Sequence, residues 1–281
     1  MAEAGVLADP RDEGVDLGPE PGTIAEWLRA VLAHRSVLLV LAAKDFKVRY
    51  KRATFGVLWA VALPLLQATV MIVVFGRVAR FETEAADYTS YVLAGMVAWS
   101  YVTSTVAAAS TAIVDSASLT DKVWFPRALL VLSPVLANLI GLGITFSLVA
   151  VIELVRNGLS ADVVLVVPAM ALLVLLVTSL SLTAAALHVT FRDVRFIVQA
   201  GLMVLFYATP ILYPIELLGD LEPVIAVVNP LAGVVDLFQA ALAGTSLDGL
   251  AVGASVAWTA ALTVVAVGLH HRRDRVFVDL L

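Results

Sequence analysis

Residues 44–64 read KDFKVRYKRATFGVLWAVALP, and the two halves of this stretch suit different solvents. Lys44, Lys47, Arg49, Lys51 and Arg52 crowd the first half, and no charge follows until Arg77. A basic collar that runs directly into an apolar segment of spanning length marks the place where a cytoplasmic surface meets a first membrane crossing. Phe55-Gly56 stands at the edge, as the bend between the two.

The rest of the chain has the same character. Of its 281 residues 61% are hydrophobic and 15% charged, whereas about 25% of a soluble domain is charged. Apolar runs of spanning length recur. They predict an all-α membrane protein with six transmembrane helices, at 53–75, 88–114, 128–152, 163–187, 196–212 and 249–269. With the N-terminus inside, fifteen of the 18 Lys and Arg fall on the cytoplasmic side, and Arg77, Arg80 and Arg156 outside. That bias predicts both termini cytoplasmic.

Ahead of the collar, residues 1–22 form an acidic tail with Glu3, Asp9, Asp12, Glu13, Asp16 and Glu20, expected to be disordered. Thr23-Ile-Ala-Glu26 fits a capping box. From there Leu28, Leu32, Leu39, Ala42, Phe46 and Tyr50 recur at helical spacing. Residues 23–52 are therefore expected as one amphipathic interface helix, and 53–281 as the six-span membrane domain. Within that domain, 213–244 carries Pro214, Pro223 and Pro230, and its two apolar pieces are each too short to span. It reads as a re-entrant external hairpin before the last span, or else as an external loop with an interfacial helix.

Several chemistries are absent. The chain has no cysteine, so it has no disulfide or thiolate chemistry. His34, His188, His270 and His271 show no metal-binding spacing, and no metal site is expected. Burying a charge at membrane depth costs about 2.5–3.5 kcal/mol on insertion scales. Gln67 and Asn138 are the main polar interruptions of the spans, and neither carries a proton. Glu153 and His188 read as interfacial residues at span ends. Proton coupling is disfavoured. No glycine is followed by lysine, so a P-loop is absent, and any pumping draws its energy from another subunit. The cytoplasmic segment 115–127 then becomes a candidate docking surface, or simply a product of positive-inside topology. Trp99, Tyr101, Phe206, Tyr207 and Tyr213 anchor or pack as single residues; as a group they point to a carbohydrate path.

Four blocks, in order over residues 40–245, carry a family resemblance. They are Lys44-Asp-Phe-Lys-Val-Arg-Tyr-Lys with Phe55-Gly-Val-Leu-Trp59 and Pro64; Phe75-Gly76 with Tyr91-Val-Leu-Ala-Gly95 and Trp99; Leu119-Thr-Asp-Lys-Val-Trp-Phe-Pro-Arg127; and Phe191-Arg-Asp193 with Phe206-Tyr-Ala-Thr-Pro-Ile-Leu-Tyr-Pro214 and Asn229-Pro230. This set resembles the transmembrane permease subunit of type-2 ABC exporters for polysaccharides such as O-antigen, capsule, galactan and teichoic acid. Two positions depart from the family pattern. Lys44 stands where an arginine often precedes the aspartate. Gln239 stands where an arginine commonly follows the Asn-Pro block, which leaves a substrate role for that position open.

The resemblance implies a multi-pass protein of the bacterial cytoplasmic membrane, working as a homodimer with two ATP-binding subunits. Those subunits would bind ATP and Mg; this chain would hold no cofactor, carry no active site and meet no nucleic acid. A polyprenyl-diphosphate-linked glycan would enter from the inner leaflet. Lys44, Arg49, Tyr50, Lys51 and Arg52 would meet the headgroup, with Arg suited to bidentate pairing. The aromatic group would line the glycan path. Leu119, Lys122, Phe125, Pro126 and Arg127 in 115–127 would couple to the ATPase, 213–244 would be an external gate, and Arg192 and Asp193 would pair within their loop. The alternatives are a type-2 ABC exporter of lipid or drug, a membrane-embedded glycosyl- or phosphotransferase, and a channel.

Overall fold

The computed structural model of the chain describes residues 22–51, 53–78, 87–117, 125–158 and 161–273. Among these residues every regular element is a helix. The first, α1 (Ile24–Ala33), starts at the expected capping box: Glu26 N–H donates to Thr23 Oγ1 at 3.2 Å, and Thr23 N–H to Glu26 Oε2 at 2.9 Å. The interface helix expected over 23–52 is not continuous. At His34 the backbone leaves helical geometry (φ −89°, ψ 22°), and α2 (Arg35–Tyr50) starts afresh. The His34 imidazole bonds the Ala30 carbonyl at 2.7 Å. The His34 backbone N–H reaches the same carbonyl at 3.2 Å. The acidic tail, apart from Gly22, lies outside the described residues.

Gly56 turns the chain into the membrane with φ +51°, a left-handed conformation that glycine adopts at no steric cost. The bend at Phe55-Gly56 is therefore borne out. A 3₁₀ turn leads into α3 (Trp59–Met71), which widens to a π-helical stretch, Ile72–Val78. Next come α4 (Tyr88–Ser110), α5 (Ala128–Arg156), α6 (Val166–Thr190), α7 (Val194–Ala208), α8 (Glu222–Val228), α9 (Ala232–Ala243) and α10 (Gly249–Arg273).

Among the described residues, five helical stretches are long and apolar enough to cross a membrane: Gly56–Val78, Tyr88–Ser110, Ala128–Arg156, Asp162–Thr190 and Gly249–Arg272. The expected span at 196–212 is shorter than read. α7 has 15 residues, about 22 Å at 1.5 Å per residue, against a hydrocarbon core of about 30 Å. It ends because Pro210 cannot continue a helix and pushes Thr209 into extended geometry (φ −91°, ψ 136°). The stretch Ile215–Val228 and the helix Ala232–Ala243 meet at 104°, and the count of crossings is six if that bent pair is one of them.

The core is built around α4. It packs against α5, α6 and α9, and Val92, Ala94, Val97 and Ala98 are fully buried. Small residues make the approach possible: a Cβ on Gly95 would meet Ile211 Cγ2 at 3.1 Å and Gln239 Nε2 at 3.3 Å. In contrast, α3 leaves Leu63, Leu66 and Val70 exposed. α2 lies against α5 through Leu41, which joins Phe125, Leu129 and Leu130 in one cluster.

Candidate functional site

Two polar residues of the basic helix α2 bond to α5: Asp45 is half-buried, and Arg49 keeps part of its side chain exposed. Asp45 and Arg49 are one turn apart and so share a face. Asp45 accepts from Ser133 Oγ on α5, and Arg49 Nη1 donates to Asn138 Oδ1 one turn further along α5. Asn138 Nδ2 donates in turn to Thr105 Oγ1 on α4 at 3.1 Å. Lys47 and Lys51 are exposed on α2's other side and at its end. Lys44 reaches Asp45 at 3.4 Å.

Two cavities flank this contact. One, of about 540 Å³, lies between α2, α3, α4 and α5 and is lined by Arg49, Tyr50, Gln67, Tyr101, Ser104, Asn138 and Thr145, among others. The second, of about 380 Å³, is lined by Lys44, Asp45, Arg49, Asp115 and Ser133, among others. Arg49 belongs to both. Of the five residues predicted at a headgroup entrance, the structure thus gathers Lys44, Arg49 and Tyr50; Lys51 lines neither cavity, and Arg52 lies outside the described residues. The ring of Tyr50 packs edge-on against Phe46 at 5.2 Å. At these walls the available chemistry is a guanidinium, an ammonium and several hydroxyl and amide groups. It can hold an anion and polar hydroxylated groups without transferring a bond.

The predicted aromatic group divides. Trp99 and Phe206 are buried against each other at 5.3 Å, Phe206 continues to Tyr207 at 5.1 Å, and Tyr213 Oη donates to the Tyr207 carbonyl at 2.8 Å. These four form one chain of contacts. Tyr101 stands apart, buried to 2% exposure with its hydroxyl on the Val135 carbonyl at 3.1 Å, and lines the 540 Å³ cavity. Tyr207 is exposed.

Beyond α7, residues 209–213 run non-helical through the protein interior, where each carbonyl needs a donor. α4 supplies Tyr88 Oη to Leu212 O at 2.6 Å, and Tyr91 Oη, whose one proton is shared between Pro210 O at 3.0 Å and Tyr213 O at 2.9 Å. Gln239 Nε2 on α9 adds a second donor to Pro210 O at 3.0 Å. Asn229 Nδ2 reaches Ala208 O at 3.1 Å and Thr209 Oγ1 at 2.9 Å. Gln239 therefore anchors backbone. Sequence reasoning missed these anchors. The available signal was Tyr88 and Tyr91 at i, i+3 on one helix face.

The coupling segment is only partly described. Leu119 and Lys122 lie outside the described residues, while Phe125, Pro126 and Arg127 are buried at the start of α5. Arg127, 3% exposed, turns its Nη1 back to the Phe125 carbonyl at 3.0 Å and lies 5.6 Å from the Phe125 ring centre. Arg192 and Asp193 are exposed, and among the described residues no ion pair joins them. Arg195 instead covers the Phe196 ring at 4.6 Å.

At the far end of α5 the charges are tied down. Arg156 Nη2 meets Asp87 Oδ2 at 2.8 Å. Burial raises the Asp87 pKa, but the Ser90 backbone N–H and the Arg156 guanidinium outweigh it and hold the carboxyl below 3.8. Glu153, read as interfacial, is fully buried, accepting from Ser90 Oγ at 2.7 Å and Asn157 Nδ2 at 3.0 Å.

Comparison with known proteins finds a transporter family and several relatives. The family described as ABC-2 type transporter matches residues 36–243. The O-antigen export system permease protein RfbA of Klebsiella pneumoniae is 32% identical over 211 residues, covering 72% of this chain and 80% of that protein. RfbA of Myxococcus xanthus is 29% identical over 216 residues, 76% of this chain and 82% of that protein.

Proposed function

The chain belongs to the ABC-2 type transporter family, and from that premise we propose a path for its substrate. It is the permease subunit of a polysaccharide ABC exporter, a multi-pass protein of the bacterial inner membrane that works with an ATP-binding subunit. Two copies of the chain pair with two such subunits, which bind ATP and Mg. The missing P-loop supports that division of labour.

The chain crosses the membrane six times with both ends cytoplasmic. α7, prolonged by residues 209–213, is the fifth crossing, and the bent pair before α10 is a re-entrant external gate within 213–244. The lysine and arginine bias and the side-chain anchoring of residues 209–213 support this topology. The segment 115–127 couples to the ATP-binding subunit, with Leu119 and Lys122 offered to it and Phe125, Pro126 and Arg127 fixing where α5 begins.

The substrate is a polyprenyl-diphosphate-linked glycan. Its diphosphate is gripped by Arg49, with Lys44 and Tyr50 beside it, and its sugars pass over the polar wall made by Gln67, Ser104 and Thr145. The single observation that carries this reading is the 540 Å³ cavity. An arginine and a cluster of hydroxyl and amide groups meet there in an otherwise apolar helix bundle.

The test is ATP hydrolysis by the purified complex with added lipid-linked glycan. Hydrolysis should rise with the glycan and not with the carrier lipid's alcohol. Arg49→Ala should abolish the rise and leave assembly intact; an undiminished rise in that variant contradicts the path.

A further inference from the structure

Asn138 has an environment that a membrane span does not require. It is 7% exposed, and an amide buried in an apolar helix bundle is costly unless both ends are bonded. Both are. Its Oδ1 accepts from Arg49, and its Nδ2 donates to Thr105 Oγ1. A guanidinium has only donors, so it can be held only by the amide's oxygen. Arg49 thereby selects the oxygen end, and Thr105, fully buried on α4, accepts from the remaining N–H and anchors the amide from that helix. Loss of that anchor frees the amide and weakens its hold on the cation.

That position lies on a boundary. Arg49 lines both the 540 Å³ and the 380 Å³ cavities, Asn138 lines the first, and Ser133 and Pro134, about one turn away on α5, line the second. We propose that Asn138 is a resting-state latch for Arg49. It holds the guanidinium across the boundary until a diphosphate headgroup takes it over, and release joins the two cavities. The inference rests on the headgroup role given to Arg49 above. A diphosphate wins the exchange because it meets the guanidinium with two parallel bonds to charged oxygens, where the amide offers one neutral acceptor. A zwitterionic headgroup leaves the latch closed.

The absence of cysteine from the chain makes a clean test possible. Ser104→Cys places a thiol on the wall of the 540 Å³ cavity. The full chain with its ATP-binding subunits is reconstituted in phosphatidylcholine nanodiscs, with geranylgeranyl diphosphate as the probe. Probe affinity and the rate at which a charged thiol reagent labels S104C are both measured. Asn138→Ala should tighten probe binding about tenfold, by removing the competing state. It should also raise labelling without probe to the rate the parent reaches at saturating probe. Asn138→Asp should do the opposite, since a carboxylate grips Arg49 harder, and loosen the probe about tenfold. Thr105→Val should behave as Asn138→Ala although Thr105 touches neither cation nor probe, and Thr105→Ser should restore parent behaviour.

Two failures are distinguishable. If Arg49→Ala binds the probe as tightly as the parent, the headgroup reading falls and the latch with it. If Arg49→Ala loses the probe while the Asn138 and Thr105 variants all keep parent affinity and labelling, the latch is wrong and the headgroup reading stands. If phosphatidylglycerol nanodiscs open the S104C site without probe, a lipid monophosphate suffices and the diphosphate assignment is overturned.

Discussion

The irregular segment 209–213 offers the sharpest quantitative test of the fold, because its carbonyls share donors unequally. Pro210 O accepts from Gln239 Nε2 and shares the one Tyr91 hydroxyl proton with Tyr213 O. Tyr91→Phe leaves Pro210 O with Gln239 but removes a donor from Tyr213 O. Gln239→Leu leaves Pro210 O with Tyr91. Side-chain hydrogen bonds inside membrane proteins average about 0.6 kcal/mol and reach about 1.7, so each single variant should cost about 1 kcal/mol. The double variant strips Pro210 O of both donors, and a buried carbonyl left bare costs about 1–3 kcal/mol. The double variant should therefore exceed the sum of the singles by about 1 kcal/mol, as expected for residues that share a partner. The assay is reversible unfolding in mixed detergent micelles, read by tryptophan fluorescence. Trp99, packed on Phe206 at the end of α7, reports on the region. Additivity within about 0.3 kcal/mol would refute the accounting.

Four other outcomes follow, three of them from particular contacts. A Cβ on Gly233 would sit 2.3 Å from the Ala251 carbonyl oxygen, so Gly233→Ala should push α9 from α10 and cost about 1–3 kcal/mol in the same unfolding assay. The Asp87–Arg156 pair is part-exposed, and its contribution is under about 1 kcal/mol. Because the Asp87 pKa is lowered on folding, the contribution is present above pH 3.8 and disappears as pH falls through the folded value. The advantage of the parent over Arg156→Gln should be measurable at pH 7 and vanish in stronger acid. Arg127 is buried, so Arg127→Glu should lower the yield of folded protein by gel filtration before it affects any partner. Lys122→Glu should keep the yield and lose co-purification with the ATP-binding subunit.

Hydropathy made most of the fold legible, because bilayer thickness imposes a length and an apolar composition that any span must meet. Boundaries were less legible. The break at His34 falls inside a sequence whose apolar periodicity continues unbroken. The end of α7 was written in Thr209-Pro210, but the apolar run carries on past it. At the site, Asn138 was visible as a polar interruption; its partner Arg49, 89 residues earlier, was not. Charge alone marked Arg127 as cytoplasmic and said nothing of its burial. The aromatic residues show the same limit. Sequence supplies five rings of the right kind, but only packing reveals that Trp99 and Phe206 cover each other while Tyr101 meets a cavity.

The central claim is that a lipid-linked glycan travels past Arg49 through the 540 Å³ cavity. Photo-crosslinking residues placed one at a time at Tyr50, Gln67 and Thr145, in an exporting complex, test it directly. The account predicts adducts with the polyprenyl-diphosphate carrier at Tyr50 and with the glycan at Gln67 and Thr145, all lost on Arg49→Ala. Export continuing at the parent rate with no glycan adduct at any of the three positions would contradict it.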